Sequence, residues 1–253
     1  YMVESLLKTG DYKVTYLGGA VKHADYKPQK TEEYGDDLVI YPVDGYGTPD
    51  IIRSVIRTER PDIVWFMTDP RFWGWLWEME DEIRPLAPMV YYHVWDNYPY
   101  PDYNEPAYAS NDAIVAISKL THDIVQNVVP EVDSYYIPHA VDPETFSPAP
   151  PEAISQFREE LMPEEKDKFV VFWNNRNARR KMPGSLLFYF NEFLNQVGRD
   201  KAQLIMHTDP NDQHGPNLEA ILHKLDLVNG EVKLSNKTVD PAQLAIMYNV
   251  ADV

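Results

Sequence analysis

The sequence predicts an α/β protein built from two doubly wound domains, each with a parallel sheet. Short apolar runs alternate with helical patterns along most of the chain, which is typical of parallel strands covered by helices on both faces. A proline-rich segment at residues 147–151 (SPAPP) interrupts this alternation, as a linker does. Right-handed crossovers would give each half a Rossmann-like topology. We therefore expect one domain over residues 1–146 and a second over residues 152–253.

The apolar runs give the predicted strands. They cover residues 13–17, 37–43, 62–67, 89–94, 113–118, 134–138, 168–173, 202–207 and 232–234. The helical patterns between them lie near residues 49–60, 73–84, 119–129, 182–197, 216–227 and 241–250. Thr48-Pro49 and Asp240-Pro241 each combine a capping side chain with proline at the first helical position. The chain opens on a helix and closes where a further strand is expected, so we expect both domains to be incomplete.

Composition and charge narrow the classes of function. The 253 residues include no cysteine and no Asp-x-Asp triplet, so we expect no thiolate metal site and no metal-held diphosphate. No apolar run approaches the roughly 18 residues of a membrane helix, and we expect a cytoplasmic protein. The formal net charge is −17, of which residues 1–145 contribute −14 and the remainder −3. Such acidity disfavours binding to nucleic acids and to anionic membranes.

One cluster of cations departs from this acidic background. Arg176, Arg179, Arg180 and Lys181 lie within six residues, directly after the strand predicted at residues 168–173. In doubly wound sheets, ligands bind at the carboxyl ends of strands, and a following helix N-terminus suits a phosphate group. A solvated basic loop is the alternative interpretation. The position in the chain favours a phosphate site.

Polar and aromatic residues also follow two strands of the first predicted domain. His93 ends one strand and is followed by Trp95, Asp96 and Asn97, which can stack on a sugar face or bind hydroxyl groups. Ser118 follows the next strand and can cap a helix, which would explain it without a ligand. We expect His93 to face the second domain and to be partly accessible to solvent. A histidine with ordinary hydrogen-bond partners in a structured loop is the alternative.

Residues 136–148 (YIPHAVDPETFSP) resemble the interdomain segment of glycosyltransferase family 4, roughly I-P-N-G-V-D-x-x-x-F-x-P. The matching positions are Ile137, Pro138, Val141, Asp142, Phe146 and Pro148. His139 and Ala140 stand where that family usually has asparagine and glycine. The fixed spacing of six matches makes this the most specific resemblance in the chain.

Two further segments are similar to the same family. Residues 173–184 (WNNRNARRKMPG) resemble its G-R-x-x-x-x-K-G loop, in which an arginine and a lysine bind the donor diphosphate. Arg176 and Lys181 occupy those two positions, although Asn175 replaces the glycine before the arginine. The C-terminal residues 244–252 resemble the family's L-x3-Y-x2-A-D segment.

The resemblance implies the two-domain GT-B fold and a retaining, metal-independent glycosyltransferase without a cofactor. The first domain would serve the acceptor and the second would bind a nucleoside-diphosphate sugar, whose sugar passes to a hydroxyl of a glycan, lipid or small molecule. Arg176 and Lys181 would stabilise the leaving group with help from Arg180, and His93 would act near the transferred sugar. The other residues implied in sugar or nucleotide binding are Asp96, Asn97, Ser118, His139 and His207.

Two other classes of function stay open. A NAD-type oxidoreductase uses the same sheet topology, but the turn Gly45-Tyr46-Gly47 lacks the third glycine of the dinucleotide fingerprint, since residue 50 is Asp50. A non-catalytic nucleotide- or sugar-binding relative is the second alternative. It stays open because the family's acceptor loop and its E-x7-E donor region would lie beyond the ends of this sequence.

Overall fold

The computed structural model describes residues 2–19 and 23–253, an α/β chain with mostly parallel strands. The chain divides into two compact units, Tyr1–Val141 and Asp142–Val253. We call them the first and second units. The predicted linker at residues 147–151 lies inside the second unit, since Ala149 N donates to Asn249 Oδ1 at 2.7 Å. No helix in the described ranges is long and apolar enough to cross a membrane.

The first unit contains two sheets. Its strands are β1 (Val14–Gly18), β2 (Gln29–Lys30), β3 (Leu38–Pro42), β4 (Val64–Thr68), β5 (Met89–His93), β6 (Ala113–Ala116) and β7 (Asp133–Tyr136). Its helices are α1 (Met2–Lys8), α2 (Pro49–Glu59), α3 (Gly74–Trp77), α4 (Glu80–Ile83), α5 (Glu105–Ala109) and α6 (Lys119–Val128). The larger sheet is parallel with the order β4-β5-β6-β7. In the smaller sheet, β3 pairs with β1 in parallel and with β2 antiparallel.

The second unit contains one parallel sheet with the order β8-β9-β10. Its strands are β8 (Phe169–Asn174), β9 (Ala202–His207) and β10 (Val232–Ser235). Its helices are α7 (Pro151–Leu161), α8 (Pro183–Val197), α9 (Leu218–Lys224) and α10 (Pro241–Asn249). Leu187 and Leu194 of α8 pack with Leu204 and Met206 of β9 in a core from which water is excluded. The carboxyl ends of the strands are thereby held at one edge.

Local signals explain where several helices begin. Thr48 accepts a hydrogen bond from Ile51 N ahead of α2, and Ser118 Oγ accepts one from Thr121 N ahead of α6. Asp240 caps α10 in a reciprocal capping box with Gln243. These starts confirm the predicted caps. The helix predicted over residues 73–84 is instead divided into α3 and α4, because the backbone leaves the helical conformation at Met79, whose side chain is buried in the core.

Candidate functional site

Three polar residues lie level at the carboxyl edge of the second unit's sheet. The strand register pairs Asn174 with His207 and His207 with Ser235. His207 Nδ1 lies 2.9 Å from Ser235 Oγ, and Asn174 Nδ2 donates to the Tyr248 hydroxyl at 3.1 Å. Because ligands bind at this edge in doubly wound sheets, the row of side chains marks a candidate site.

The basic residues predicted from the sequence lie beside this row. Arg179–Lys181 form a short 3-10 turn between β8 and α8, and Arg179 and Arg180 are exposed. Met182 follows with φ 54°, in the left-handed region, and provides no side-chain cap for α8. The first amide groups of a helix need partners, and an anion can supply them. The structure therefore brings cations and an uncapped helix start together.

Arg176 is bound by an acidic partner that the sequence reasoning missed. Its Nε donates to Asp212 Oδ2 at 2.5 Å, and its Nη2 donates to Asp212 Oδ1 at 3.2 Å. Nη2 also lies 2.7 Å from His214 Nδ1. The hydrogen bond from Arg176 holds the pKa of Asp212 well below its usual range, and the same bond raises the pKa of Arg176. Asp212 lies 36 residues along the chain, in the loop after β9, so no local pattern could indicate this pair.

Asn177 joins the two loops that carry Arg176 and Asp212. Its side chain is fully buried, and its Nδ2 donates to the carbonyl oxygens of Pro210 at 3.1 Å and Pro216 at 3.0 Å. A Cβ atom placed on Gly215 would lie 2.2 Å from Asn177 Oδ1, so only glycine allows this approach. The loop after β8 and the loop after β9 are thus fixed against each other.

His93 is fully buried, so the expectation that it is partly accessible to solvent is wrong. The physical reason is its position on the central strand β5, with β4 and β6 on either side and Tyr108 of α5 against the ring. Its Nδ1 lies 3.0 Å from the Tyr91 hydroxyl, and its Nε2 lies 2.6 Å from the Tyr108 hydroxyl. Burial lowers the pKa of His93 to about 3, which keeps the imidazole neutral.

The hydrogen bonds around His93 run in one direction. The Tyr91 hydroxyl donates to the carbonyl oxygen of Thr68, so its oxygen can accept from His93 Nδ1. Nε2 then accepts from the Tyr108 hydroxyl, whose oxygen accepts from Asn104 Nδ2 at 3.3 Å. This order assigns the Nδ1–H tautomer to His93. Thr68, at the far end, has φ 108°, a strained value for a β-branched residue.

The other predicted residues of the first unit follow neighbouring strands. Asp96 and Asn97 are exposed in the loop after β5, where Trp95 Nε1 donates to the carbonyl oxygen of Asn97 at 3.1 Å. Ser118 follows β6, and its Oγ is used as the cap of α6. His139 follows β7, and its Nδ1 lies 3.2 Å from the Tyr92 hydroxyl. Since β5, β6 and β7 are parallel neighbours, these residues share the carboxyl edge of one sheet.

Among residues 2–19 and 23–253, no group of three or more histidine, aspartate or glutamate side chains is placed to hold a metal ion.

The fold is similar to that of solved glycosyltransferases. The apo structure of OtsA matches with a TM-score of 0.70 at 10% sequence identity, over 99% of this chain and 73% of OtsA. HepE from Anabaena, in complex with UDP and glucose, matches with a TM-score of 0.62 at 15% identity, over 87% of this chain and 60% of HepE. The α,α-trehalose 6-phosphate synthase of Burkholderia multivorans matches with a TM-score of 0.59 at 11% identity, over 93% of this chain and 67% of the synthase.

These neighbours are GT-B glycosyltransferases, and this chain shares their fold. The predicted α/β class with parallel sheets is therefore confirmed. No protein-family model matches the sequence, and no curated protein matches it either. At these low identities the likeness shows the fold alone, so the activity must be argued from the site.

Proposed function

We propose that this protein is a glycosyltransferase that transfers a sugar from a nucleoside-diphosphate donor to an acceptor hydroxyl. The observation that carries the proposal is the set of cations around Arg176 and Lys181, at the carboxyl end of β8 and ahead of the uncapped helix α8. This is where a GT-B fold offers both positive charge and free amide groups to a diphosphate. HepE was crystallised with UDP-glucose, which makes UDP-sugars the first donors to test.

The proposed chemistry needs stabilisation of a leaving group more than it needs a protein nucleophile. The bond between the anomeric carbon and the diphosphate oxygen breaks, and a bond to the acceptor oxygen forms on the same face, with retention. The departing diphosphate takes the acceptor's proton, so a protein nucleophile is unnecessary. Arg176 and Lys181, with Arg180 beside them, would stabilise the negative charge that grows on the diphosphate. These features are those of family 4, to which we propose the chain belongs.

We assign the two units different parts of the reaction. The second unit would bind the nucleotide sugar, with His207 near the nucleotide because it lies level with Asn174 and Ser235. The first unit would bind the acceptor and the transferred sugar through Asp96, Asn97, Ser118 and His139. These residues supply hydroxyl, amide and carboxylate groups at one sheet edge.

We further propose that His93 positions the acceptor side of the site and exchanges no proton during transfer. The neutral ring links Tyr91 and Thr68, at the end of β4, to Tyr108 and α5. Through these bonds it fixes the loops that follow β4 and β5. A side chain with a pKa near 3 and both ring nitrogens occupied is poorly suited to act as a base near neutral pH.

The test is a panel of nucleotides with the full chain. We expect UDP-sugars, or GDP- or ADP-sugars in their place, to raise the melting temperature, whereas NAD should not. A donor that binds should then release its nucleoside diphosphate when glycan, lipid and small-molecule acceptors are supplied. Binding without release would support the non-catalytic relative, and stabilisation by NAD alone would support an oxidoreductase.

A further inference from the structure

Asp212 makes an unusual contact for a residue beside an anion site, since its carboxylate faces the arginine that the anion would use. It engages one side of the guanidinium, namely Nε and Nη2. Nη2 also lies 2.7 Å from His214 Nδ1, and within the described part of the chain the Nη1 group of Arg176 carries no hydrogen bond. A guanidinium is a rigid planar fork with five N–H groups, so holding one side fixes the direction of the other.

We propose that Asp212 is a positioning residue, which holds Arg176 so that Nη1 is directed to the donor diphosphate. This inference rests on the proposed function of Arg176. The exposure of the pair supports it: the Arg176 side chain is 59% exposed, whereas the Asp212 side chain is 13% exposed. The carboxylate is thus the buried partner of the pair, and the arginine side chain is the exposed one.

Asp212 is itself fixed independently of Arg176. The backbone N–H of His214 donates to Asp212 Oδ1 at 2.9 Å, and the backbone N–H of Gly215 donates to the Asp212 carbonyl oxygen at 3.0 Å. The same loop is bound to the loop after β8 by Asn177 and by the bond from Arg179 N to the His214 carbonyl oxygen, 3.1 Å. A carboxylate held in this way can order the long and otherwise mobile side chain of Arg176.

The opposite interpretation is that Asp212 competes with the diphosphate for Arg176. A competing carboxylate would occupy the side of the guanidinium that faces the ligand and would shield it from solvent. Here the Arg176 side chain stays 59% exposed although Asp212 bonds its Nε and Nη2 groups. The two interpretations predict opposite signs for the effect of removing the carboxylate, so one measurement decides between them.

Binding of inorganic pyrophosphate to the full chain provides that measurement, because this probe does not depend on the donor base or sugar. Calorimetry should show that Asp212→Ala weakens pyrophosphate binding roughly 3- to 10-fold, the cost of ordering one long side chain on binding. Asp212→Asn should lie in between, because an amide oxygen still accepts a hydrogen bond but carries no charge. Asp209→Ala is the matched control, since Asp209 lies in the same loop, accepts from Asn211 N, and should leave the affinity unchanged.

The double variant separates positioning from loop structure. In the Arg176→Ala background, Asp212→Ala should cause no further loss of affinity. The inference is overturned if Asp212→Ala binds pyrophosphate as tightly as the parent or more tightly. It is also overturned if Asp212→Ala still lowers the affinity in the Arg176→Ala background. If the Arg176→Ala variant alone binds pyrophosphate like the parent, the result contradicts the proposed donor site rather than the role of Asp212. Melting temperatures identify any variant that does not fold. If Asp212→Ala does not fold, the affinity of Asp212→Asn is compared with that of the parent instead.

Discussion

The hydroxyl group of Tyr91 determines which ring nitrogen of His93 carries the proton. Because that hydroxyl donates to the Thr68 carbonyl oxygen, it can only accept from the imidazole, and the ring must carry its proton on Nδ1. Tyr108 supplies the matching donor on the other side, and burial raises its own pKa to about 12. Two tyrosines thus fix the tautomer and orientation of His93, and burial keeps its ring neutral.

The burial of His93 predicts a loss of stability in mild acid. Its pKa is about 3 when folded and about 6.5 when unfolded, so the unfolded chain binds the proton over that window. Stability is therefore lost as the pH falls from 6.5 towards 3, by about 2 kcal/mol between pH 7 and pH 5. Urea unfolding of the parent and of His93→Gln should show the difference between them shrinking by that amount. An equal difference at both pH values would contradict the assignment, and His223→Gln, an exposed histidine, is the control.

Arg176 and Lys181 can be tested through the rate of transfer. We expect Arg176→Ala and Lys181→Ala each to weaken diphosphate binding and to lower turnover more strongly, because the phosphate gains charge as the glycosidic bond breaks. Loss of one such partner typically costs ~3 kcal/mol, roughly 100-fold in rate. Lys181→Arg should restore the rate only in part, since a planar fork does not replace a compact ammonium group.

Arg179→Ala is the control for these two variants. Arg179 is exposed in the same turn but has no match in the family's loop pattern, so its loss should reduce turnover much less. Parent-like kcat and KM in both Arg176→Ala and Lys181→Ala would show that the turn is only a solvated basic loop.

At the scale of secondary-structure elements, the sequence predicted the helix starts, because interactions between residues close in the chain determine them. Thr48, Ser118 and Asp240 cap helices through bonds to residues three positions ahead, and each start lies where it was predicted. The role of Asn177 could not be predicted from the sequence, because the two carbonyl groups that accept its hydrogen bonds, those of Pro210 and Pro216, belong to another loop. A side chain whose partners lie more than 30 residues away leaves no periodic or spacing signal.

The contact between Asn177 and Gly215 predicts a sharp steric effect. In Gly215→Ala the added Cβ would meet both the side chain and the backbone of Asn177, at 2.2 Å and 2.4 Å, so the two loops must separate. We expect about 3 kcal/mol of destabilisation, the upper part of the range for overpacking, and weaker pyrophosphate binding. Gly74→Ala is the control, since an added Cβ there meets nothing within 4 Å. A Gly215→Ala variant with parent-like melting temperature and affinity would show that the contact is not needed.

At the scale of the whole molecule, the alternation of strands and helices predicted parallel sheets, and the fold agrees. The assignment of Arg176 and Lys181 to a donor diphosphate stays a prediction. The accessibility of His93 could not be derived, because the covering residue Tyr108 comes from α5, which no periodic pattern marked. Likewise the partner of Arg176 depends on how the loops after β8 and β9 meet. Sequence patterns thus predicted where the strands end, whereas the contacts between loops could be seen only in the structure.

The exposed basic turn, in a chain of net charge −17, should give diphosphate association an unusual dependence on ionic strength. At 0.01 M salt the Debye length is about 30 Å, so an approaching anion also interacts with charges far from the turn, and the net charge is negative. Near 0.15 M it is about 8 Å, and the anion responds mainly to the nearby arginine and lysine side chains. Stopped-flow measurements should therefore show the association rate of UDP rising with added salt, passing through a maximum, and falling once the turn itself is screened. A steady decline from the lowest salt would mean that the acidic surface does not reach the anion's path.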